Sequence, residues 1–182
     1  MSNNFLQGVN VYLIGMMGAG KSTVGKVLAE KLRYTFLDTD DLIVQAAGQP
    51  ITEIFATAGE SDFRDLESQV LSGVSAYQKL VVATGGGIIL RPINWSYLHH
   101  GVVVWLNVPL NLLYLRLQDD QTRPLLQDAD PLAKLTSILE QRQHLYAQAD
   151  VTINIEADHS PELIAGRAIA ALEKLLRESQ KS

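Results

Sequence analysis

The chain has 182 residues, no cysteine and a formal net charge of −5. That length suits one domain with a real core, and 47% hydrophobic with 19% charged residues is ordinary for a globular chain. The absence of cysteine excludes a disulfide framework, a thiolate nucleophile and a Cys-type zinc site; the negative charge argues against a nucleic-acid partner, and no run of roughly 18 apolar residues exists to span a membrane.

The residues before Val9 are too few for a signal or transit peptide, so the cytoplasm is the expected location. Val9–Ile14 is apolar and rich in β-branched residues, which predicts a buried strand. GMMGAGKST follows at 15–23 and fits G-x-x-x-x-G-K-[ST] through Gly15, Gly20, Lys21 and Ser22. Lys21–Leu32 then places Val24, Val27, Leu28 and Leu32 at helical spacing. Strand, glycine loop and helix are the context in which this motif cradles a nucleoside triphosphate. Glycines turn the backbone so that its N–H groups point inward, and the helix adds its positive end. Lys21 supplies a cation for the outer phosphates, and Ser22 a hydroxyl for Mg²⁺. The plain alternative is a glycine turn joining a strand to a helix.

A second strand is predicted at Thr35–Leu37 and ends in FLDTDD. Asp38 and Asp40 are two apart, so in extended chain both carboxylates face one way. One can hold Mg²⁺ and the other can accept or orient the proton of an attacking hydroxyl. The competing reading is helix capping, for which Asp41 is the expected residue. Helices follow at Leu42–Ala47 and Glu60–Ala76, the second carrying Arg64 near its start in DFRDLE. A third strand, Leu80–Ala83, runs into TGGG at 84–87, where a ligand can approach the backbone closely and take N–H donors. His99-His100 before Gly101 reads as a helix end.

Strands at Val102–Asn107 and Val151–Ile155, with helices at Leu110–Gln118, Pro131–Ala149 and Pro161–Glu178, complete an alternating pattern. It predicts an α/β domain with a five-stranded parallel sheet. Ser160-Pro161 is a good cap and first-turn pair. Residues 119–130, DDQTRPLLQDAD, are polar, turn-forming and long for a connection between helices, so they are expected to form a lid. Arg123 opens RPLL within it, Arg116 lies just upstream, and Arg142 sits on a helix before Tyr146. Arginine suits planar anions and developing phosphoryl charge. The bland alternative for a single arginine is a solvated helix face with an i,i+4 partner, from which Arg123 departs most because it lies in a loop and precedes proline.

Two classes compete at this point. A nucleotide-gated switch would read guanine through N-K-x-D and carry D-x-x-G, and neither occurs. An ATP-dependent small-molecule kinase accounts for the aspartates, the triple glycine and a lid that keeps water from the nucleotide.

Over nearly its whole length the chain resembles shikimate kinase. The resemblance rests on GMMGAGKSTVG at 15–25, FLDTDD at 36–41, FRDLE at 63–67, TGGG at 84–87, RPLL at 123–126 and the R-x-x-x-Y of Arg142 and Tyr146. It implies the nucleoside-monophosphate-kinase type of fold, a three-layer sandwich with sheet order 2-3-1-4-5. It also implies ATP-dependent phosphorylation of the 3-hydroxyl of shikimate, on the route to chorismate and the aromatic amino acids. Position by position it implies that Gly18, Ala19, Gly20, Lys21, Ser22 and Thr23 hold the ATP phosphates. Ser22 would bind Mg²⁺, with Asp38 acting through water. Asp40 would contact the reacting hydroxyl as base or orienter. Arg64 and Arg142 would clamp the shikimate carboxylate, Gly85, Gly86 and Gly87 would line its ring, and Phe55 and Phe63 would wall its pocket. Arg123 would reach the transferring phosphoryl group, and Arg116 and Pro161 would flank adenine. A kinase of another sugar acid, such as gluconate, would keep the same glycine loop; the two arginines with TGGG favour shikimate. With no long apolar surface repeat, a monomer is expected.

Overall fold

The computed structural model describes residues 5–118 and 129–179. Five parallel strands form one sheet: β1 (Val11–Ile14), β2 (Thr35–Asp38), β3 (Leu80–Ala83), β4 (Val102–Asn107) and β5 (Val151–Asn154). They lie in the order β2-β3-β1-β4-β5, as the resemblance implied. Val11 pairs with Val81 on one side and Val102 on the other, so β1 is central. Every residue of β1 and β3 is buried. Side chains alternate across a strand, so both faces of the sheet are covered, as continuous apolar runs demand. β1 starts two residues later than predicted because Val9 is exposed and closes a turn onto the Leu6 carbonyl.

Eight α-helices among the described residues supply the outer layers: α1 (Lys21–Leu32), α2 (Thr39–Ala47), α3 (Ile51–Thr57), α4 (Gly59–Ser75), α5 (Pro92–Leu98), α6 (Leu110–Leu117), α7 (Pro131–Tyr146) and α8 (Pro161–Ser179). One group is α1 packed on α8; another is α4 packed on α2, α3 and α5. Fully buried Leu28, Leu71 and Leu172 anchor α1, α4 and α8 in one core, each worth about 1.5–3 kcal/mol of removed apolar surface. Ile43, Ile54 and Phe63 form a smaller cluster where α2, α3 and α4 meet.

The helices α3 and α5 were not predicted. Each spans seven residues, too few for the 3.6-residue period to declare itself. Tertiary burial holds them: Ile54 is buried in α3, and Asn94, Trp95 and Leu98 in α5. His99 caps α5, so the pair of histidines does mark a helix end. Ser160 caps α8, its Oγ accepting from the Leu163 N–H at 3.2 Å.

One structural premise of the aspartate reading fails. α2 begins at Thr39, three residues earlier than predicted, so Asp40 lies in a helical first turn and not in extended chain. The cap is Asp38, not Asp41: Asp38 Oδ1 accepts the Asp40 N–H at 2.9 Å. A carboxylate at that position satisfies an orphan amide and faces the positive helix end.

Among the described residues no helix is long and apolar enough to cross a membrane.

Candidate active site

The carboxyl ends of β1, β2 and β3 deliver the glycine loop, Asp38 and the triple glycine to one edge of the sheet. Ligands of open parallel sheets collect there, where neighbouring connections diverge. Gly20, at φ 88°, is the N-cap of α1 and takes a left-handed turn that a side chain would strain. The first turn of α1 then faces a cavity of about 280 Å³, lined by Gly18, Gly20, Lys21, Ser22 and Thr23 on one side and by Asp38, Asp40, Thr84, Gly85 and Gly86 on the other. A helix N-terminus with such a loop is an anion site. Lys21 lies over the loop, its Nζ donating to the Gly15 carbonyl at 2.8 Å and the Met16 carbonyl at 2.9 Å. Ser22 Oγ donates to Asp38 Oδ2 at 2.5 Å, which brings the two proposed metal ligands together. A hydroxyl and a carboxylate are the hard oxygen donors that Mg²⁺ takes beside phosphate, so the residues present fit that ion.

A second cavity, of about 270 Å³, shares Gly18, Gly20 and Thr23 with the first and extends to Arg116, His159, Pro161 and Ile164. Arg116 and Pro161 thus line one cavity. Arg116 Nη1 also donates to the Gly18 carbonyl at 3.2 Å, tying α6 to the loop. Ala19 differs from the rest of the loop: its N–H is bonded to the Met16 carbonyl, and its contribution is to the wall of this second cavity. His159 belongs to the same wall, which its isolated position in the sequence did not signal.

The triple glycine gathers the remaining candidates. A methyl group on Gly85 would come 2.8 Å from Glu67 Oε1 and 3.0 Å from Asp40 Oδ1. One on Gly86 would lie 3.4 Å from the Met17 nitrogen and 3.8 Å from Arg142 Nη1, and one on Gly87 would strike the Arg64 guanidinium. The glycines therefore let two acids and two arginines close over one short stretch of backbone. The Gly85 N–H is not available to a ligand, contrary to expectation, because it donates to Thr39 Oγ1 at 3.1 Å. No hydrogen bond from the Gly86 or Gly87 N–H forms among the described residues.

Arg64, mostly buried on α4, donates from Nη1 to Glu67 Oε2 at 2.8 Å and lies over the Phe63 ring at 5.2 Å. Phe63 in turn packs on half-exposed Phe55, ring centres 4.6 Å apart. Glu67 is fully buried. Burial pushes its carboxyl up from the ordinary value, with the Arg64 guanidinium opposing and the Asp40 charge adding to the rise. Arg64 Nε and Glu67 Oε1 are buried without a hydrogen bond among the described residues. Each such orphan is worth about 1–3 kcal/mol of destabilisation that a polar ligand can relieve. Glu67 and Thr39 were missed as site residues. Both were visible inside FRDLE and FLDTDD, but only burial distinguishes them from surface polar residues. Arg123 and nearly all of the expected lid lie outside the described residues; Asp130 at its end caps α7 by accepting the Ala133 N–H.

A family model described as shikimate kinase matches residues 17–173. The chain belongs to the shikimate kinase family. It is 58% identical to the shikimate kinase of Nostoc sp. (strain PCC 7120) over 177 residues, 97% of this chain and 98% of that protein. A solved shikimate kinase from Acinetobacter baumannii, in complex with shikimate, superposes with a TM-score of 0.90 at 39% identity, covering 96% of this chain and 98% of that one. A gluconokinase from Sinorhizobium meliloti shares the fold alone, at a TM-score of 0.56 and 19% identity. As a shikimate kinase, the chain is an enzyme that transfers phosphate from ATP to a hydroxyl of shikimate. The gluconate and switch alternatives are not favoured.

Proposed function

We propose that the cavity on the glycine loop holds the ATP phosphates, that the adjoining cavity takes adenine, and that the triple glycine forms the floor of the shikimate subsite, with the 3-hydroxyl presented to the γ-phosphate. The observation that carries this reading is the convergence of Asp40, Arg64 and Arg142 on Gly85–Gly87, beside the loop bearing Lys21.

In this reading Arg64 and Arg142 take the shikimate carboxylate, and Phe55 and Phe63 close the side of its ring. Two charge-assisted bonds to a planar anion fix orientation as well as affinity. Asp40 accepts or orients the proton of the attacking hydroxyl. Its place in the first turn of α2, with its own N–H on Asp38, holds the carboxylate at the edge of the phosphate cavity. Lys21 and the α1 amides meet charge on the transferring group, and Arg123 adds a cation from the lid. Ser22 and Asp38 would hold Mg²⁺, which neutralises phosphate charge when bound. Phosphoryl transfer passes through a loose transition state with its charge spread over the oxygens. Placement and fixed cations therefore account for most of the catalysis. One domain acting as a monomer belongs to the same proposal.

A coupled ADP-release assay with shikimate and gluconate offered separately tests the acceptor, and ³¹P NMR of the product locates the new ester. Release with gluconate but not with shikimate, or an ester on another oxygen, would overturn the reading.

A further inference from the structure

Tyr146 is the last residue of α7. It is fully buried. Its ring stacks on Trp105 of β4, centres 5.8 Å apart and 19° from parallel. Its hydroxyl donates to the Gly86 carbonyl at 2.6 Å and touches Met16 Sδ at 3.7 Å. Burial pushes the phenol up from its ordinary value, the neighbouring Arg142 guanidinium opposing, so the proton stays available for donation. One hydroxyl thus meets the glycine loop, the triple glycine and a clamp arginine.

The consequence follows from peptide geometry. Every peptide bond described is trans. In a planar trans peptide the carbonyl and the next N–H point in opposite directions. A Gly86 carbonyl that accepts from the Tyr146 hydroxyl therefore turns the Gly87 N–H to the opposite side of that peptide, away from Tyr146, and the neighbouring Gly85 and Gly86 line the cavity with Asp40. Glycine has little conformational preference of its own, so three in succession leave that peptide free to flip unless something outside holds it.

We infer that Tyr146 is a positioning residue for the acceptor: its hydroxyl, by holding the Gly86 carbonyl, aims the Gly87 N–H at shikimate. The inference rests on the triple glycine being the acceptor floor. It makes α7 a contributor of two functions one turn apart, the Arg142 cation and the anchor of the peptide beside it.

Tyr146→Phe keeps the ring stack and deletes one hydroxyl. The expected result is a rise of about five- to tenfold in the shikimate KM, with the ATP KM changed by less than about twofold. Tyr12→Phe is the control. That residue is equally buried in β1, but its hydroxyl meets Asn10 and no site residue. It should lower Tm comparably and leave both KM values alone. A folded Tyr146→Phe enzyme with the parental shikimate KM would overturn the inference, as would equal effects of the two substitutions on that KM. Amide NMR of the unliganded proteins tests the orientation without reference to the acceptor: the Gly87 signal should move in Tyr146→Phe, and an unmoved signal also overturns it. In the parent alone, added shikimate should shift Gly87 more than Gly85, whose N–H remains on Thr39. The reverse order overturns the inference even if the variant does not fold. A parent that neither binds nor phosphorylates shikimate instead defeats the underlying reading of the floor.

Discussion

The Arg64 guanidinium lies so closely against Gly87 that a methyl group there would strike it. The clamp on α4 and the floor after β3 therefore depend on each other. Gly87→Ala is expected to push the guanidinium aside without touching the nucleotide cavity. The dissociation constant for shikimate should rise by about tenfold or more, approaching that of Arg64→Ala, which removes a charge-assisted bond worth roughly 1.5–3 kcal/mol. Nucleotide affinity should stay at the parental value. Calorimetric titration of both ligands checks this, and equal loss of both affinities would mean that the substitution unfolds the edge of the sheet instead.

Asp38 and Asp40 divide their work by position. Asp38 holds Ser22 and the start of α2, while Asp40 presents its carboxylate beside Gly85. Asp40→Asn is expected to keep ATP affinity and lower kcat by about 10²–10⁴, the usual range for a general acid–base group. Asp38→Asn should raise the Mg²⁺ requirement and leave Tm nearly unchanged, because asparagine caps a helix about as well as aspartate but lacks the charge that holds the ion. Rates measured across a magnesium series separate the two. A kcat for Asp40→Asn that recovers with added magnesium would exchange their roles.

Glu67 gives the site a pH dependence of definite sign. Its carboxyl is raised in the folded chain, chiefly by burial. Its contribution to stability is therefore full below the unfolded value and is lost as pH rises through the folded one. Glu67→Gln removes that dependence. The Tm difference, variant minus parent, should grow more favourable to the variant from about pH 4 to about pH 7. At the upper end of that range the variant's shikimate KM should exceed the parent's, since Arg64 then faces a neutral amide oxygen in place of a carboxylate. A Tm difference that moves the other way with pH would show that Arg64 outweighs burial.

Arg123 is expected, from its place in RPLL, to meet charge on the transferring group. Arg123→Ala should lower kcat by on the order of 10²–10³ and leave the shikimate dissociation constant unchanged. Single-turnover kinetics alongside equilibrium binding would show this, and turnover near the parental rate would remove Arg123 from the chemistry.

Much of this protein is determined locally. Val24, Leu28 and Leu32 repeat with the period of α1, Leu80–Ala83 is apolar because both its faces are covered, and the loop from Gly15 to Lys21 needs only backbone geometry to point its amides inward. Such features rest on contacts within a few residues, so they are legible in the chain and in its likeness to one family. What only the tertiary structure decided depends on contacts between distant segments. Nothing near Glu67 marks it as fully buried against Gly85, 18 residues later in the chain. Asp38 could be recognised as the cap of α2 only once Thr39 was seen to be helical and bonded to Gly85. The hydrogen bond from Tyr146 to Gly86 spans 60 residues. Desolvation and long-range pairing have no signature in spacing, because the partners that produce them are chosen by the packing of the sheet and its helices.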